Sequence, residues 1–249
     1  MTRPTLLLIH GFPLDHTVWD PNIAALAAVA EVFAPDLRGF GATITTDEVT
    51  GMEAFAQDLL TMLDERGIER VIPCGLSMGG YIAMALAEMA PHRLDGLILC
   101  NTRSTADSVE GKEGRRNTAN DARTKGMAVI ARAMAPKVLG ATTRASHPEK
   151  VTHIEAMIAG QSPNATAAAS LGMAERPDRT AILHDFHKPA LVITGDEDEL
   201  MPLPTSQAMA EALPQGQLVV LDQADHLSNM ERPEAFNAAV IHFIRTRPS

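Results

Sequence analysis

The sequence predicts an α/β fold: a mostly parallel, doubly wound sheet of about six strands, with no N-terminal hairpin and with an inserted helical cap. Three observations predict it. Short apolar runs alternate with helical patterns at close intervals, which is how parallel strands joined by right-handed crossovers read. A glycine-flanked serine sits between one such run and an alanine-rich helical stretch. Between Arg103 and His187 the strand signal disappears and only helical stretches remain. The expected layout is a core of residues 1–102 and 188–249 with a cap of residues 103–187. A chain of 249 residues can bury one large core beside such an insertion.

Taken in order, Thr5 to Ile9 is a continuous apolar run, the pattern of a strand buried on both faces at the sheet centre. His10-Gly11-Phe12-Pro13 follows as a loop at its carboxyl end, where open α/β sheets place ligands. Val29 to Ala34 reads as a second strand. Glu53 to Arg66 carries Phe55, Leu59, Leu60, Met62 and Leu63 on one helical face. The run from Val71 leads into Ser77, and a helix follows it directly. Gly96 to Cys100, Ala190 to Thr194 and Leu218 to Leu221 supply the later strands, and Val240 to Ile244 lies in a closing helix.

Within the insertion, helical stretches run through Arg123, then over Met127 to Leu139, Glu149 to Ile158 and Ala165 to Ala174. The insertion leaves one strand end and returns to the next, so it is expected to roof the carboxyl edge of the sheet. Met127, Met134, Met157 and Met173 recur through it; such side chains suit an adaptable pocket, and equally the filling of gaps in a helical core. Arg103 to His187 holds 12 basic and 9 acidic residues, against 9 basic and 22 acidic elsewhere. That contrast fits ordinary exposed helices, or a cap that draws in an anionic substrate or an acidic carrier protein.

The net charge of -10 and pI near 5.3 argue against a nucleic-acid surface and favour a small-molecule function. Cys74 and Cys100 each end an apolar run, where thiols pack rather than form disulfides or bind metal, and they suit a reducing cytoplasm. Leu6 to Ile9 is too short for a leader's apolar region and no run is long enough to span a bilayer, so a cytoplasmic location without membrane contact is expected.

Gly75-Leu76-Ser77-Met78-Gly79 has the spacing of a nucleophile elbow, in which a serine on a strained turn projects its hydroxyl above a parallel sheet. Gly75 and Gly79 suit places where strand and helix approach too closely for a side chain. The helix behind Ser77 turns free amides and the positive end of its dipole toward an anion forming at the hydroxyl. A serine needs a base to take its proton, and the base needs a third group to hold its tautomer. Two later loops at strand ends offer these: Gly195-Asp196-Glu197-Asp198-Glu199 and Asp225-His226. Of nine histidines only His10 and His226 stand on strand-exit loops. Among the acids, the residues by themselves leave Asp196 and Glu197 open beside Asp198.

These segments, with Asp36-Leu37-Arg38-Gly39-Phe40-Gly41, resemble the α/β-hydrolase fold serine hydrolases over essentially the whole chain. The resemblance implies Ser77 as nucleophile, His226 as general base and acid, and Asp198 as the orienting carboxylate. Asp198 is chosen because relatives commonly place the acid three residues after the loop glycine with a proline just beyond. The backbone amides of Phe12 and Met78 are implied as the oxyanion hole. Serine at the elbow implies an acyl-enzyme, unlike relatives that place aspartate there. The chain departs from the pattern in three places. It has no room for the hairpin that often precedes the first parallel strand, which puts Val29 to Ala34 at the sheet edge, blunted by Glu31 and Pro35. Asp225 stands where a small residue commonly precedes the histidine, which either brings a second carboxylate near it or, equally, sends that side chain to solvent. Asn101 ends its strand where some relatives have aspartate.

The function implied is hydrolysis of a small-molecule carboxylic ester through an acyl-enzyme, without cofactor or metal, nearest in kind to small esterases and enol-lactone hydrolases. Carbon–carbon bond hydrolases and perhydrolases use the same residues, and a non-catalytic ligand receptor of this fold is the alternative from another class. No nucleic-acid or membrane partner is expected. The oligomeric state is not legible, though any dimer is expected to form through the cap or helices and not the sheet edge.

Overall fold

The computed structural model describes residues 3–247. The apolar runs form strands β1 (Thr5–Ile9), β2 (Glu31–Phe33), β3 (Ile72–Leu76), β4 (Leu97–Cys100), β5 (Ala190–Gly195) and β6 (Gly216–Leu221). All pair in parallel, in the order β2-β1-β3-β4-β5-β6, so β2 and β6 are the edges. Helix α1 (Asp20–Leu26) follows β1, α2 (Met52–Glu65) follows β2, and α3 (Met78–Met89) starts one residue after Ser77. Between β4 and β5 lie α4 (Val109–Lys125), α5 (Met127–Met134), α6 (Ala141–Ser146), α7 (Pro148–Ala159), α8 (Pro163–Glu175) and α9 (Thr180–His184). Helices α10 (Leu203–Ala212), α11 (Ser228–Glu231) and α12 (Pro233–Thr246) complete the chain.

Strand side chains alternate between two cores. Leu6, Leu8, Cys74, Ile98, Leu191 and Ile193 face α1 and α12, while Leu7, Ile9, Leu97, Leu99 and Val192 face α2 and α3. A sheet covered on both faces is what the unbroken apolar runs demand. The thiols of Cys74 and Cys100 are free, buried and 3.7 Å apart across β3 and β4.

The structure shortens or extends several expected elements. Of Val29 to Ala34 only Glu31–Phe33 forms a strand, because the amides of Val29 and Ala30 both return to the Leu26 carbonyl, at 3.0 and 3.1 Å, to close α1. The stretch expected as one helix over Met127 to Leu139 stops at Met134, and a 3₁₀ turn follows over Ala135–Lys137. Pro136 lacks the amide that would carry the helix on. Strand β6 begins at Gly216, where Gly216 and Gln217 pair with Ala190 and Leu191; on a half-exposed edge those residues need no apolar signal. Helices α1, α6, α9, α10 and α11 have no counterpart among the helical stretches read from the sequence.

Contacts at two places, one at Thr50 and one at Gln161, tie the helical segment to the loops on either side of β2. The Thr50 amide donates to Ala168 O at 3.0 Å, and a side chain on Gly172 would strike Thr50 O. Gln161, just beyond α7, accepts from the Gly41 amide and donates to Asp15 Oδ2, both at 2.9 Å. Among the described residues no helix is long and apolar enough to cross a membrane.

Candidate active site

Ser77 occupies the turn between β3 and α3 with φ 54° and ψ -113°, a backbone region that L-residues seldom adopt. Close packing holds it there. A Cβ on Gly75 would lie 2.2 Å from Gly79 O, and one on Gly79 would lie 2.1 Å from Ile9 O. The turn is also pinned by Ser77 N donating to Cys100 O at 2.9 Å and by Thr102 Oγ1 donating to Ser77 O at 2.8 Å.

Loops after β3, β5 and β6 bring Ser77, Asp198 and His226 together. His226 Nε2 lies 2.8 Å from Ser77 Oγ, and His226 Nδ1 lies 3.1 and 3.3 Å from the two Asp198 oxygens. An ionised carboxylate only accepts hydrogen bonds, so the ring proton belongs on Nδ1 and Nε2 is free to accept from the serine hydroxyl. Asp198 also accepts from the amides of Leu200 at 3.0 Å and Met201 at 2.8 Å, and from Asn101 Nδ2 at 2.9 Å. Burial pushes its carboxyl up, but the neighbouring His226 and these hydrogen bonds outweigh burial and hold it below the usual carboxylate range.

The other two acids left open by the sequence point elsewhere. Asp196 accepts from the Ala224 amide at 3.3 Å, and Glu197 bonds the hydroxyl and amide of Thr142. Asn101, with φ 46°, is a residue the sequence noted only as a missing rival acid. Its Nδ2 spans from Asp198 to Asp225 O, at 3.0 Å from the latter, while Ser228 Oγ donates to its Oδ1 at 2.5 Å. Asn101 thereby ties the acid loop to the histidine loop.

Asp225 turns inward rather than to solvent, and its Oδ1 has no partner among the described residues. Burial, then the charges of Asp198 and Glu231, push its carboxyl up to about 7. Glu231, also raised by burial, accepts from the Asp225 amide at 2.9 Å and the Gly140 amide at 2.8 Å. The His226 loop is thus joined to the chain entering α6.

The loop after β1 flanks the serine: a Cβ on Gly11 would meet Ser77 Cβ at 3.4 Å. His10 secures this loop. Its Nδ1 bonds Gly11 O at 2.9 Å and its Nε2 accepts from the Leu37 amide at 3.0 Å. Burial lowers its pKa to about 4, so it stays neutral as a structural tie. Phe12 follows on the same loop and Met78 opens α3; among the described residues neither amide donates to a protein acceptor.

A cavity of about 330 Å³ opens at Ser77 and His226. Its apolar wall includes Phe12, Met134, Val138, Met173, Leu200 and Met201, and its polar wall Arg103, Asp107 and Arg115. Of the four methionines noted in the sequence, Met134 and Met173 reach the cavity, while Met127 and Met157 pack among the helices. Among the described residues one cluster, Asp15, His16 and Asp36, brings three metal-binding groups within 4.8 Å of one another. Its carboxylates already accept from the amides of His16, Thr17 and Ala42 and from Gln161, so they act as loop ties.

Known proteins share this architecture. The 3-oxoadipate enol-lactonase 2 of Acinetobacter baylyi is 29% identical over 238 residues, spanning 96% of this chain and 87% of the relative. A thermophilic esterase from Thermogutta terrifontis, solved with malate bound, superposes with a TM-score of 0.95 at 43% identity, over 98% of this chain and 90% of that one. The enol-lactonase from Burkholderia xenovorans LB400 gives a TM-score of 0.91 at 29% identity, over 98% and 92%. Residues 4–233 match the sequence profile of the alpha/beta hydrolase fold, so the chain belongs to that family and is a hydrolase.

Proposed function

We propose that this protein is a carboxylic ester hydrolase that works through an acyl-enzyme on Ser77, with His226 as base and acid and Asp198 as its orienting carboxylate. One observation carries the reading: the continuous hydrogen-bond chain Ser77–His226–Asp198, set on a strained elbow that faces a largely apolar cavity. Ser77 Oγ attacks the ester carbonyl carbon as its proton passes to His226 Nε2, and the carbonyl electron pair moves onto oxygen. The amides of Phe12 and Met78 receive that oxyanion. Its collapse breaks the bond to the alcohol, which leaves with the proton from His226. Water then attacks the acyl-enzyme by the same proton route, releasing the acid and restoring Ser77. No step needs a metal or cofactor.

The relatives named as esterase and enol-lactonase support an ester or a cyclic ester as the bond cleaved. In this reading the helices of residues 103–187 form a cap, and Met134, Val138 and Met173 bring its side chains to the substrate. The free thiols suit a cytoplasmic enzyme. The test is steady turnover of a panel of short-chain esters and lactones by the purified protein, repeated with Ser77→Ala. Sustained turnover by the wild type, lost by several orders of magnitude in the variant, is the expected result. Ligand binding without turnover in the wild type would instead indicate a receptor.

A further inference from the structure

The cavity beside Ser77 holds more positive charge than its own scaffold neutralises. Asp107, buried between β4 and α4, is met by three guanidinium groups: Arg103 at 2.8 Å, Arg115 at 3.2 Å and Arg176 at 2.8 Å. Arg176 belongs to the scaffold, since it also donates to the carbonyls of Met173 and Thr105 and lies 4.0 Å over the Tyr81 ring. Arg103 and Arg115 line the cavity with Ser77 and His226. The Arg103 Nε is buried without a partner among the described residues. Arg115 spends only its Nε on Asp107; among the described residues its two terminal nitrogens have no protein acceptor.

Among the described residues Asp107 is the one carboxylate in the cavity wall, so three cations share one anion and two positive charges are left over. A guanidinium cannot shed its charge by losing a proton, and its planar fork matches a carboxylate. We propose that Arg103 and Arg115 form a carboxylate-binding subsite, and that the substrate is a small ester or lactone bearing a carboxylate of its own. This rests on the hydrolase reading of Ser77. A cavity of about 330 Å³ is at the small end of ligand pockets and suits a small substrate of this kind.

The test compares kcat/KM for monomethyl glutarate with that for the neutral ester methyl hexanoate. The wild type should favour the monoanion. Arg103→Gln and Arg115→Gln should each lower the monoanion-to-neutral ratio at least about tenfold, chiefly through KM. Arg115→Lys should restore part of it, and Arg132→Gln, which removes an exposed charge on α5, should leave the ratio unchanged. Glutarate binding to Ser77→Ala protein, measured by calorimetry, supplies a readout without turnover and should weaken at least as much in Ser77→Ala/Arg115→Gln. Turnover of methyl hexanoate with no monoanion preference and no glutarate binding would overturn the subsite and leave the hydrolase reading standing. Glutarate binding that depends on Arg115, with no ester cleaved, would do the reverse. Equal losses on both esters in the arginine variants would reduce the cluster to scaffold and overturn the proposal.

Discussion

The two sides of the Ser77–His226 pair handle buried charge in opposite ways. Behind His226, the carboxylates of Asp198, Asp225 and Glu231 crowd together, and their hydrogen bonds come mostly from backbone amides and Asn101. In front of Ser77, one carboxylate is shared by three guanidinium groups. Neutral donors satisfy an acid without cancelling its charge, so the rear acids repel one another. Asp225, the one without a partner for its Oδ1, is driven up to about 7. Asp198 escapes this because His226 lies against it. The acidic side can relax by taking up a proton; the basic side can be balanced only by a ligand or solvent.

The largest break in this contrast is expected at Asp198, where charge bears on the histidine tautomer. Asp198→Asn should lower kcat about 10³–10⁴-fold with little change in fold. Asp196→Asn and Glu197→Gln, whose carboxylates serve Ala224 and Thr142, should cost far less. Comparable losses in all three would show that the loop acts as a unit and not through one acid.

On the basic side, Asp107→Asn leaves three cations without an anion. It should cost about 3 kcal/mol in a denaturant titration, more at low salt than at high salt because Arg103 and Arg115 are partly exposed. A salt-independent loss would mean that packing, and not charge, holds that side.

The smallest effect is expected at Asp225, and its sign differs. Folded Asp225 titrates near 7 against 3.8 for the free side chain, so between those values the folded chain keeps a proton that the unfolded chain releases. That contribution to wild-type stability falls as pH rises through the window. Asp225→Asn should therefore gain stability relative to wild type from about pH 4 to about pH 7. Asp198 behaves oppositely: its folded value is depressed, so its contribution is present at neutral pH and lost at the acid end. A stability difference between Asp225→Asn and wild type that stays flat with pH would remove the crowding account.

The sheet and elbow were legible because they depend on local signals. Continuous apolar runs mark doubly covered strands, and Gly75 and Gly79 mark contacts that admit no side chain. The acid was less so: three carboxylates lie within three positions, and only the path of the chain after β5 turns Asp198 toward His226. The Asp107 cluster was not legible at all beyond an excess of basic residues. Its members come from a strand-exit loop, α4 and the end of α8, and nothing in their spacing announces that they meet. The second strand is shorter than its apolar pattern because Val29 and Ala30, though apolar enough for a sheet, give their amides to the end of α1.

The central claim is that Ser77 is the nucleophile, and the most direct measurement is covalent labelling by a fluorophosphonate, read by intact mass and peptide mapping. One adduct per chain is expected, on the peptide that carries Ser77, lost in Ser77→Ala and strongly slowed in His226→Ala. An adduct that persists in folded Ser77→Ala protein on another serine, such as Ser104, would contradict the account.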